Sequence, residues 1–208
     1  MDSMAKWMKR QFESMEATEY PVGPAFEALS SFFRGAVVLA LDVSYSMEGE
    51  PLNAAKRGAE DFLSEAADGG YSVGLVLWHG AVAGHVELRR ESHAALELLR
   101  TAEARWGTNV VPALKVAWSD LKDDPSGDRV IAIFGDGDLG DRERALEIAA
   151  QIRADGIRII TCGLGEDSAD ALGELADYEE RRHASSDAIE QSIRELATGL
   201  RRISGISF

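Results

Sequence analysis

Three short stretches of this chain gather hard oxygen donors. Asp42-Val43-Ser44-Tyr45-Ser46 follows one apolar run directly, and Gly135-Asp136-Gly137-Asp138 follows another. Gly107-Thr108-Asn109 lies between them, at the start of an amphipathic segment. Together they offer the carboxylates of Asp42 and Asp136 and the hydroxyls of Ser44, Ser46 and Thr108. None of the three stretches contains His or Cys, which argues against a zinc or copper site. Two carboxylates about 5 Å apart repel by roughly 3 kcal/mol at an effective dielectric near 20. A small divalent cation would relieve that strain. Hydroxyl ligands add no charge, so the ion would stay electron-poor and keep an open position. Mg²⁺ suits such a set, because it wants six oxygens and usually retains waters; Mn²⁺ or Ca²⁺ are the alternatives.

Such a site needs elements that deliver the three stretches to one edge. Apolar runs at Ala36–Leu41, Val73–Trp78, Val130–Phe134 and Ile157–Cys162 read as strands buried on both faces, the mark of a parallel sheet. Helical periodicity lies between them. Leu52, Ala55, Ala59, Phe62, Leu63 and Ala66 share a face, ended by Gly69-Gly70. Further helices fit 92–104, 109–122, 142–155, 167–178 and 187–203, the last opened by Asp187 and Glu190 placed like a capping box. The alternation over 81–88, after Gly80, predicts an antiparallel edge strand. The fold class expected is therefore α/β: a Rossmann-like, doubly wound, mostly parallel sheet with one antiparallel edge strand and helices on both faces. Residues 1–34 stand apart as an accessory helix (Met4, Trp7, Met8, Phe12, Met15) and a linker broken by Pro21, Gly23 and Pro24. The domain proper is expected over 35–208.

D-x-S-x-S after the first strand, Gly-Thr some 60 residues on, and Asp-Gly after the next parallel strand form an ordered pattern. It resembles the metal-ion-dependent adhesion site of von Willebrand factor A domains, over about 35–203. The resemblance implies that Ser44, Ser46 and Thr108 coordinate Mg²⁺ directly. It implies that Asp42 and Asp136 act mostly through water, and that an acidic residue of a protein partner fills the last position. The run Met47-Glu48-Gly49-Glu50-Pro51-Leu52 is similar to bacterial cytoplasmic members associated with tellurite resistance and with AAA-type ATPases, so a component of an AAA-type ATPase system is the partner implied. Many relatives have Gly-Gly-Thr where this chain has Trp106-Gly107-Thr108, and Thr-Asp-Gly where it has Gly135-Asp136-Gly137. Neither departure removes a ligand.

Plainer roles stand beside these. Asp42 and Asp136 could cap following helices, Ser44 and Ser46 could be turn residues, and Thr108 could be the N-cap of the 109–122 helix. Asp141 reads as an N-cap and Asp138 as a loop carboxylate that could tune the ion. Tyr45 and Trp106 flank ligand positions and, with Asp138, could form a partner rim. Cys162 reads as a core thiol; His79, His85, His93 and His183 show no ligand spacing.

Composition narrows the function classes. With 36 acidic and 22 basic residues the net charge is -14, which disfavours nucleic acid and anionic membrane as partners. One cysteine rules out an internal disulfide, and the N-terminus shows no long apolar run; a reducing cytoplasm is the compartment expected. The function expected is non-catalytic, metal-dependent protein recognition. The competing reading is a phosphohydrolase resembling the haloacid dehalogenase superfamily, with Asp42 as nucleophile, followed by Thr108, Lys115 and Asp136. Most such enzymes carry a second Asp two residues after the nucleophile to protonate the leaving group. Here that position is Ser44, whose hydroxyl cannot serve near neutral pH.

Overall fold

The computed structural model describes residues 35–164, 172–176 and 181–184. In chain order these form β1 (Gly35–Asp42), a 3-10 turn (Tyr45–Met47), α1 (Glu50–Asp68), β2 (Ser72–Trp78) and β3 (Val82–Arg89). There follow α2 (His93–Arg100), α3 (Val111–Leu121), β4 (Asp128–Gly135), α4 (Arg142–Ala154), β5 (Arg158–Leu164) and β6 (Arg181–Ala184).

The strands lie side by side in the order β3-β2-β1-β4-β5-β6. All neighbours run parallel except β2 and β3, which pair antiparallel at the edge with two register irregularities. Strand β1 is central and buried along its whole length. Its alternate residues serve two cores. Val37, Leu39 and Leu41 pack with Leu52, Phe62 and Leu63 of α1 and Leu99 of α2. Ala36, Val38 and Ala40 pack with Leu114 and Leu121 of α3 and Ile148 and Ile152 of α4. A strand covered on both sides has no polar face to offer, which is why its sequence reads as one apolar run. The doubly wound sheet with helices on both faces is thus as expected.

From β1 the chain winds outward to β2 and β3, then returns across β1 to place β4 on its other side. The winding direction therefore reverses between β1 and β4, and their carboxyl ends open a crevice where the crossovers diverge. Both strands end on oxygen-bearing loops there.

Element ends depart from the periodicity in instructive ways. Helix α2 stops at Arg100, not 104, because Thr101 turns the chain: its Oγ1 donates to the Leu98 carbonyl at 2.8 Å. Helix α3 begins at Val111, and its N-cap position is Val110, so Thr108 is not the cap. Asn109 supports the entry instead, its Oδ1 accepting the Val111 N–H at 3.0 Å. Asp141 does cap α4, accepting the Arg144 N–H at 3.2 Å. Strand β6 was not anticipated. Arg181-Arg182-His183-Ala184 has no β-branched residue and no apolar run, and only pairing with Thr161–Leu164 makes it a strand. Of the helix expected over 167–178 only 172–176 are described; the helices expected over 187–203 and within 1–34 lie outside the described residues.

At the opposite end of the sheet, Tyr71 lies across Gly35 and its hydroxyl donates to Asp128 Oδ2 at 2.6 Å. Asp128 in turn accepts from Arg158 Nε at 2.9 Å and Nη2 at 3.0 Å, tying β2, β4 and β5 together. A Cβ at position 35 would run into the Tyr71 ring. Gly35→Ala is therefore expected to destabilise the fold by about 1–3 kcal/mol, the usual cost of overpacking. Chemical denaturation of the two proteins measures it; equal midpoints would contradict this packing.

Candidate metal centre

Asp42 is the last residue of β1 and is fully buried. Its Oδ1 accepts the Ser44 N–H at 2.8 Å, which closes a tight turn at the strand end. That turn directs Ser44 and Ser46 to the same place: their Oγ atoms are 3.0 Å apart. Ser44 is buried and Ser46 is exposed, so the pair runs from the interior to the surface. Met47, in the same 3-10 turn, is buried in the core beneath and anchors the loop.

Strand β4 ends in Gly135 alongside, and the half-buried Asp136 follows. A Cβ on Gly135 would fall 2.9 Å from both Cβ and Oδ2 of Asp42. In this backbone geometry a side chain there would crowd the Asp42 carboxylate. The departure from Thr-Asp-Gly seen at the sequence level is thus matched by a close approach in the structure.

The third loop is zipped to both others through its backbone. Arg105 N–H donates to the Val43 carbonyl at 2.8 Å, and Ser44 and Arg105 form an isolated parallel bridge. Asn109 N–H donates to the His79 carbonyl at 2.9 Å, and Val110 N–H to the Leu139 carbonyl at 3.2 Å. Gly140, at φ +67°, sits against the backbone of Thr108 and Asn109. Thr108 is half-buried in this segment. The structure therefore assembles Asp42, Ser44, Ser46 and Asp136 at one rim, with Thr108 on a loop bonded to both of theirs.

Electrostatics give this rim its character. Burial, with a further push from the charge of Asp136, raises the Asp42 carboxyl from an ordinary 3.8 to about 7. The Ser44 N–H and hydroxyl and the Asp136 backbone oppose that rise without cancelling it. Asp42 Oδ2 is buried and has no hydrogen-bond partner. An orphaned carboxylate oxygen in the interior costs free energy that a cation or a bound water would recover. Hydroxyls beside it, with no thiolate or imidazole, suit a hard ion such as Mg²⁺. Among the described residues no group of three or more His, Cys, Asp and Glu is placed to hold a metal, so a metal at this rim would depend on hydroxyls.

The remaining candidates separate clearly. Tyr45 and Trp106 are the exposed large apolar side chains among the described residues, and they stack on each other. The sequence marks each as a possible rim residue but gives no sign of their contact, which follows from the Ser44–Arg105 bridge. Asp138 is exposed and stabilises its own loop, accepting the Gly140 N–H at 2.8 Å. Cys162 is buried in the core on β5. Lys115 is exposed in the second turn of α3. Among the described residues no helix is long and apolar enough to cross a membrane.

Residues 37–138 match the family model for the von Willebrand factor type A domain. No curated protein sequence matches the chain. Among solved structures it is similar to the vWF domain of a type V pili tip protein from Porphyromonas gingivalis, with a TM-score of 0.73 at 14% identity over 84% of this chain and 97% of that one. It is also similar to the pilus adhesin SpaC from Lactobacillus rhamnosus GG, with a TM-score of 0.71 at 15% identity over 82% of this chain. The match covers 30% of the adhesin, so this chain spans under a third of its length. A conserved hypothetical protein, BatB from Bacteroides thetaiotaomicron, matches with a TM-score of 0.63 at 19% identity, over 78% of this chain and 98% of its own. At these identities the structural likeness establishes the fold alone. Residues 37–138, with the sheet they help to build, are thus identified with the von Willebrand factor type A domain.

Proposed function

We propose that this chain is a protein-recognition module without turnover, built around one Mg²⁺ at the sheet rim. Ser44, Ser46 and Thr108 would hold the ion directly, and Asp42 and Asp136 through water. The observation that carries this reading is the buried Asp42 Oδ2, which lacks a partner beside a second carboxylate and two touching hydroxyls. When bound, the ion supplies an electrophilic position that favours an incoming carboxylate. The partner in this reading is a protein presenting Asp or Glu; the cytoplasm and an AAA-type ATPase system are what the resemblance of the 47–52 run to bacterial members implies. One similar structure is a pilus adhesin, and capture of a partner is the part of that activity we carry over. Residues 1–34 would be an accessory segment to the domain at 35–208. No observation favours the phosphohydrolase reading, in which Lys115 would have to reach the rim from an exposed position on α3.

Three outcomes test the site. Mg²⁺ binds the native rim and not the unfolded chain, so at ten times its dissociation constant it should add about 1.4 kcal/mol of stability. Thermal melts in Mg²⁺ and in EDTA measure this; an Asp42→Ala protein that responds as wild type does would remove the assignment.

The Asp42 carboxyl gives a second, metal-free test. Its pKa is higher folded than unfolded, so its contribution is favourable at low pH and is lost as pH rises from about 4 towards 7. In EDTA the loss attributable to this group should be on the order of 4 kcal/mol. Asp42→Asn should flatten that part of the pH profile and be the more stable protein at pH 8. Urea titrations across pH decide it, and parallel profiles for the two proteins would contradict the burial of an ionisable group here.

Partner capture is the third. Because Thr108 is not the α3 cap, Thr108→Ala should change stability by only about 0.5 kcal/mol. It should nonetheless weaken capture of a partner from lysate, as EDTA should. Equal recovery in Mg²⁺, in EDTA and with Thr108→Ala would exclude recognition through the metal.

A further inference from the structure

The bridge between Ser44 and Arg105 sets two chain segments side by side, and the residues that follow, Tyr45 and Trp106, meet face to face. Their ring centroids are 4.1 Å apart and their planes are within 8° of parallel. Tyr45 is 45% exposed and Trp106 77%, so the stack leaves aromatic surface open to solvent. The backbone beneath is held firmly. His79 Nδ1 bonds the Trp106 carbonyl at 2.9 Å, and Gly107, at φ +93°, packs against Gly80. Two large rings held in water by a braced loop are unusual enough to call for an occupant.

Charge selects the occupant. The rim stretches 42–50, 104–109 and 135–141 contain the carboxylates of Asp42, Glu48, Glu50, Asp136, Asp138 and Asp141, against Arg105 within them and Arg57, which pairs with Glu50 at 2.9 Å. A single divalent ion would leave them net negative. The carboxylate of Glu48 lies near the Tyr45 hydroxyl, so a negative charge stands at the edge of the stack. The ring faces are themselves negative. A purely apolar anchor would cover these groups without compensating their lost hydration. A guanidinium would lie flat on the indole, is weakly hydrated, and has donors to spare for a carboxylate.

We propose that the Tyr45–Trp106 stack is a docking platform for a cationic side chain, arginine in preference to lysine, of the protein partner. This rests on the recognition reading above and specifies its partner: a segment in which a basic residue lies within a few positions of the acidic residue that meets the metal.

The test selects a phage-displayed heptapeptide library on the full chain in Mg²⁺ and, separately, in EDTA. Peptides selected in Mg²⁺ should be enriched in Arg or Lys within about four residues of Asp or Glu. A synthetic copy of a selected peptide is then compared with its Arg→citrulline form, which is planar but neutral. On wild type the citrulline form should bind about two- to five-fold more weakly, the size of an exposed cation–π contact. On Trp106→Ala that difference should shrink to what the rim carboxylates alone retain, and on Trp106→Phe more of it should remain. The proposal is overturned if selected peptides show no excess of basic residues, if citrulline binds equally to wild type, or if its penalty is unchanged in Trp106→Ala. It is overturned equally if no peptide binds better than a scrambled control. The metal reading fails by a different result: basic enrichment that persists in EDTA with no preference for Asp or Glu in Mg²⁺.

Discussion

A carboxylate buried at the end of the central strand is the constraint around which the rest of this rim is arranged. Asp42 sits where β1 meets the crevice, with one oxygen satisfied by the turn it closes and the other orphaned. Neighbouring positions yield to it. Gly135 leaves it room, since a Cβ there would come within 2.9 Å of its Oδ2, and Ser44 bends back to cap it. Burial holds its proton well above the usual range for an aspartate. A carboxylate kept in that condition at a strand end is the feature on which the proposed ligand site rests.

The sheet explains why the constraint can be maintained. Flanked on both faces by packed helices and on both edges by paired strands, β1 cannot shift to relieve its last residue. The reversal in winding places β4 next to it, so that the loops after two strands emerge at one point. The von Willebrand factor type A match over 37–138 and the likeness to pilus proteins agree with that architecture, while the low identities leave recognition chemistry to be argued from these residues.

Rigidity extends to the surface. The three rim loops are joined by backbone hydrogen bonds between Val43 and Arg105 and between Leu139 and Val110, and one between His79 and Asn109 ties them to the β2–β3 turn. Loops coupled in this way present a preorganised surface, and ordering costs on binding are correspondingly small. The aromatic pair belongs to the same braced unit as the serines, so a partner could meet an ion and a π-surface at once.

Strand and helix order, the antiparallel edge and the oxygen donors were legible in the sequence. Apolar runs and helical periodicity report burial directly, and Asp and Ser at a strand end are chemically distinctive. Helix ends were less so. A cap was the plainer reading of Thr108, but the α3 entry was decided by contacts with His79 and Leu139, residues distant in the chain. Strand β6 was invisible because nothing in Arg181–Ala184 favours extension apart from a neighbour already in place. The approach of Gly135 to Asp42, and the meeting of Tyr45 with Trp106, likewise come from sheet register and a single bridge. Local pattern encodes which face of each element is buried. Which side chains from separate elements touch is fixed only when the cores close and set the loops against one another.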